Sequence, residues 1–167
     1  MNPEVKFGII TGVGVCLWVL GEYFLGFHTT KLAVGKYSGY FSIIIPVVTI
    51  YLTLKQKRDY EYAGTLSIGQ GIKAGLILSI ISAVITTLFF MVYNRFINPD
   101  WMELAMEWEK NNLIAAGATE IEISVAMAQF ESMNSLPYQI FTGLLIPPIV
   151  GSFIALVQTL ILRRKKS

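Results

Sequence analysis

IKAGLILSIISAVITTLFFMVYNRFI, residues 72–97, carries two charges, Lys73 near one end and Arg95 near the other. The run between them is long enough for a helix to cross a bilayer, which takes roughly 20 apolar residues for about 30 Å of hydrocarbon. Small residues recur at every fourth position, at Gly71, Gly75, Ser79, Ala83 and Thr87. Helices in lipid associate through close backbone approach, and such a row is the surface that permits it. The chain therefore reads as all-α and integral to a membrane.

Composition agrees. Of 167 residues, 54% are hydrophobic and 14% charged, where a soluble domain carries roughly 25% charged residues. Three more stretches qualify as spans, 6–27, 36–54 and 137–162, so that 1–167 forms a single membrane domain, a four-helix bundle. The first run is too long for a signal-peptide core and no small-x-small cleavage site follows it, so it reads as a retained helix. The second is the weakest, since only Ser38 to Leu54 is free of charge and Pro46 sits in its middle. A re-entrant second segment would leave three spans with the N-terminus outside; four is the reading adopted. The last span repeats the small-residue row at Gly143, Gly151, Ala155 and Thr159, with Pro147 filling the gap, and the first holds Gly8 and Gly12. Pro46, Pro147 and Pro148 each remove a backbone hydrogen bond and are candidate helix breaks near mid-depth.

The loops sort by charge. KQKRDYEY, with Lys55, Lys57 and Arg58, follows the second span, and Arg163, Arg164, Lys165 and Lys166 follow the fourth. Between the third and fourth spans, Asp100, Glu103, Glu107, Glu109, Glu120, Glu122 and Glu131 face Lys110 alone. The positive-inside rule puts both termini in the cytoplasm of a bacterial inner membrane and the acidic segment outside. That segment, 98–136, reads as two short helices. Trp101, Leu104, Ala105 and Trp108 share a face of the first, suited to an interface, and Thr119 with Glu122 caps the second. It caps the spans, acts as a lid or docks a partner. A net charge of +2 with no basic stripe gives no case for nucleic acid. Cys16, the one cysteine, reads as a small hydrophobe within a helix.

Within the first span lies WVLGEYFLGFHTT, residues 18–30, where Glu22 shares the face of Gly8 and Gly12 and so points toward the other helices. A carboxyl in the outer third of a membrane costs a few kcal/mol unless paired, protonated or wet. Arg95 is the expected partner, with Tyr93, Asn94, His28 and Tyr138 as alternative donors. Glu22 is then either an anchor between the first and third spans or a proton or cation site. No second intramembrane carboxylate is visible to relay a proton. His28, beside Thr29 and Thr30, reads as a polar helix end without partner ligands for haem or metal, and no cofactor is expected. Neither GQGIKAG nor GVGVCL has phosphate-loop spacing, and no H-E-x-x-H, G-x-S-x-G or intramembrane aspartate pair occurs, so no enzyme is expected.

The opening NPEVKFGIITGVG, the pattern W-x-x-x-E-Y-x-x-G-x-H at Trp18, Glu22, Tyr23, Gly26 and His28, GTLSIGQGIKAGLILSIISAVI, and the outer PDWMELAMEWEK and ATEIEISVAMAQF resemble the bacterial membrane proteins grouped as domain of unknown function 4199. The resemblance implies a small multi-pass inner-membrane protein and assigns no residue a role. The expected function is a non-enzymatic scaffold or accessory subunit that binds another membrane protein through its acidic segment. The alternative is a small homo-oligomeric transporter or channel component that uses Glu22.

Overall fold

The computed structural model describes residues 1–162, and the basic tail at 163–166 lies outside them. The helices are α1 (Pro3–Phe24), α2 (Leu32–Phe41), α3 (Ile44–Tyr60), α4 (Ile68–Val92) prolonged by a π-helical turn (Tyr93–Ile97), α5 (Trp101–Ala115), α6 (Glu120–Met133) and α7 (Leu136–Leu162). Four stretches are long and apolar enough to cross a membrane: Pro3–Phe24, Leu32–Tyr60, Ile68–Ile97 and Leu136–Leu162. The second, doubtful in sequence, reaches 29 residues because the helix continues through the basic segment to Tyr60. KQKRDYEY is thus mostly the last turns of α3 rather than a loop.

The seam between α4 and α7 is built from the two small-residue rows, antiparallel and in one register. A side-chain carbon placed on Gly71 would strike Thr159, on Gly75 Ala155, and on Gly143 the Thr87 hydroxyl, while Gly151 is filled by Ser79. No larger residue fits at these crossings. α1 meets a different face of α4, where Gly8 lies under Ile81 and Gly12 under Ile85, at built-carbon distances of 2.9 and 2.8 Å. The Ser67–Gln70 capping box starts α4 as expected, with both reciprocal bonds present. The side chains turned away from these seams are large and apolar, Leu17, Phe141, Phe153 and Ile161 among them, as lipid-facing positions require.

The prolines behave differently from one another. Pro46 has no N–H for the Ser42 carbonyl, which takes a tighter bond from Ile45 at 3.1 Å, and the helix breaks there into α2 and α3. Pro147 and Pro148 make no break: α7 runs through them unbroken. The Gly143 and Leu144 carbonyls lose the N–H donors that positions 147 and 148 would otherwise supply, while Pro148 is buried in the packed face.

At the end of the molecule that carries the N-terminus, Lys57 is buried and bonded to Glu4 at 2.6 Å and Glu61 at 2.7 Å. Glu4 is itself only 3% exposed, and its second oxygen has no partner. A second buried carboxylate therefore exists in α1, contrary to the sequence reading, because the helix begins at Pro3 and Glu4 shares the buried face with Gly8, Thr11 and Glu22.

Substitutions at these contacts should shift stability in either direction. Gly75→Val drives carbon into Ala155 and should destabilise by about 1–3 kcal/mol, whereas Gly21→Ala, with nothing within 4 Å, should stabilise by up to about 1 kcal/mol; thermal unfolding in detergent reads both. Lys57→Met leaves Glu4 buried without a cation and should cost about 3–5 kcal/mol. Most of that loss should return in the Glu4→Gln/Lys57→Met double variant.

Candidate functional site

Trp18 and Glu22 are one helical turn apart, and the Trp18 indole N–H donates to Glu22 Oε1 at 2.8 Å. α1 then ends at a glycine. Gly26 adopts φ +78, while the Phe27 N–H reaches back to the Glu22 carbonyl and the Gly26 N–H to that of Tyr23, both at 2.9 Å. This left-handed cap, which only glycine adopts without strain, reverses the chain. The reversal returns His28 to Glu22, with Nε2 3.4 Å from Oε2. Spacing alone thus brings Trp18, Glu22, Gly26 and His28 into one unit.

The π turn at the end of α4 supplies the other side. It sets Asn98 beside Tyr93, the Asn98 N–H bonding to the Tyr93 carbonyl at 2.9 Å. The Asn98 side-chain nitrogen donates to the His28 carbonyl at 3.3 Å and to the Tyr93 hydroxyl at 3.2 Å. The Tyr93 hydroxyl and His28 Nδ1 share a hydrogen bond of 2.7 Å, and the other ring nitrogen faces Glu22.

Trp18, Glu22, His28 and Tyr93 line a cavity of about 530 Å3, inside the range of roughly 300–1,000 Å3 of small-molecule pockets. Its walls are chiefly apolar and aromatic, including Trp18, Phe90, Tyr93 and Trp101, with Asn94, Gln139 and Thr87 as polar points. The Thr87 hydroxyl is buried with no partner, packed against Gly143. α5 closes one end. Trp101 packs on the His28 ring at 4.9 Å between centroids, and Lys36 of α2 holds Trp108 and Glu109. Leu104, on the same helix, is half-buried.

Arg95 is not the partner of Glu22. It is exposed and lines a neighbouring cavity with Pro99 and Met102, because the π turn directs Tyr93 inward and leaves Arg95 outside. Asn94 bonds to Gln139 at 3.0 Å, and Tyr138 is exposed. His28, read as a plain helix end, is instead the hub. Asn98 had no signal as a site residue, since a π turn leaves no trace in hydrophobic spacing, and Trp101, expected at an interface, packs on His28. Among the described residues no third His, Cys, Asp or Glu joins Glu22 and His28 as a metal ligand.

Burial pushes the His28 imidazole below its ordinary value of 6.5, against a smaller upward pull from Glu22. The folded protein thus binds a proton there less readily than the unfolded chain, so this stability is complete above the ordinary value and is lost as pH falls below it. Unfolding temperature in detergent should therefore drop between about pH 8 and about pH 5, and His28→Gln should flatten that dependence.

Among family models, the one described as protein of unknown function (DUF4199) matches residues 6–164. No curated protein and no solved structure matches the chain. With nearly its whole length matched, the chain belongs to the DUF4199 family.

Proposed function

We propose that the protein is a small carrier component of a bacterial inner membrane, its spans arranged as a four-helix bundle, that binds a solute at Glu22 and couples that binding to a proton. The observation that carries this reading is a buried carboxyl group, in contact with an indole and an imidazole and with no lysine or arginine bonded to it among the described residues, on the wall of a cavity large enough for a small molecule. A structural anchor needs no cavity. Both termini lie inside on this reading, placing Lys55, Arg58 and the terminal basic run in the cytoplasm and the acidic α5 and α6 outside. The cavity then faces outward, with α5 as its lid. A homo-oligomer fits this role, since one chain offers few helices to wall a complete path.

The scaffold reading has less to rest on. It relied on the acidic outer segment as the contact surface, and within that segment α5 turns Trp101 and Trp108 onto His28 and Lys36 of its own chain.

The test is proton flux in proteoliposomes carrying an internal pH-sensitive dye. Wild-type protein should speed potential-driven proton entry over empty vesicles. Glu22→Gln, folded by its circular dichroism, should fall roughly tenfold or more, the factor that about 1.4 kcal/mol represents. Equal flux in the two proteins removes Glu22 from any transport role.

A further inference from the structure

Resting on the cavity being a solute site, we infer that its ligand is a small lipophilic organic cation, a phosphonium, quaternary ammonium or protonated amine within an apolar body, which pairs with the Glu22 carboxylate. The walls set the chemistry. Trp18, Tyr93 and Trp101 surround the carboxyl end of the cavity, and Phe90 continues the aromatic lining. Aromatic faces attract cations, most strongly where water is excluded. Glu22, 4% exposed, has no lysine or arginine bonded to it among the described residues, so without its proton it leaves the cavity one negative charge.

An anion would meet that charge unshielded. A neutral solute would leave it uncompensated, and a hydrophilic cation would lose its hydration against apolar walls. A lipophilic cation meets neither cost. The unpartnered Thr87 hydroxyl, buried in the same wall, adds one hydrogen-bonding point away from the carboxyl group. The titratable groups lining the cavity are Glu22 from α1, His28 from the turn after it and Tyr93 from the end of α4. The walls from α2, α5 and α7 present none among the described residues.

The probes are tetraphenylphosphonium and its uncharged relative triphenylphosphine oxide, titrated against full-length protein in detergent. Tryptophan emission reports occupancy, since Trp18 and Trp101 line the cavity. The phosphonium should saturate and bind more tightly than the phosphine oxide. Glu22→Gln should weaken it by roughly thirtyfold or more and leave the phosphine oxide unchanged. If both probes saturate alike, the cation inference is overturned while the solute site stands. If neither saturates, both fall. The difference between the two probes on wild-type protein decides the matter even where Glu22→Gln does not fold.

Discussion

The close approach of α4 and α7 is the constraint on which the other contacts depend. Lipid tails are as apolar as the side chains facing them, so burial supplies little drive for helices to associate, and packing at short range must do it. The row at Gly71, Gly75 and Ser79 against Thr159, Ala155 and Gly151 allows that range. With α7 on one face of α4 and α1 on another, through Gly8 and Gly12, α4 becomes the element shared by both neighbours. The same row explains where the cavity begins. At its far end Thr87 faces Gly143, the hydroxyl finds no acceptor, and Pro147 removes the N–H that would close the helix below it.

Most of this frame was legible because it is written in residue size and hydropathy. The rows at Gly71–Thr87 and Gly143–Thr159 could be seen as rows; their mutual register could not, since spacing within a helix carries no information about its partner. The capping boxes at Ser67 and Thr119 were readable for the opposite reason, being complete within four residues. Pro46 and Pro147 look alike in sequence, yet only the first breaks its helix. What separates them is packing, for Pro148 is buried within a long helix and Pro46 stands at the start of one.

The site was legible on α1 and hidden elsewhere. Trp18, Glu22 and Gly26 are joined by one turn and a cap, both local rules, and the return of His28 follows from the cap. Tyr93 was among the candidate donors, but Arg95 was preferred because charge attracts charge. The π turn overrode that preference: one extra residue in the turn changes which side chain points inward. Lys57 misled for a related reason. Counted as an exposed loop charge, it is a buried partner of Glu4 and Glu61.

Glu4 and Glu22 make an instructive pair, about five full turns apart at 3.6 residues per turn and so on one face of α1. Both are almost wholly buried. Glu4 is given a fixed cation, and that arrangement can only hold or break. Glu22 is given an indole, an imidazole and no fixed cation, on the wall of a cavity. Neutral donors lower the cost of a buried carboxylate without cancelling its charge. On the proposed function, full cancellation at Glu22 comes from a cation of the ligand. The helix that locks one of its ends with a lysine then leaves the other for that cation.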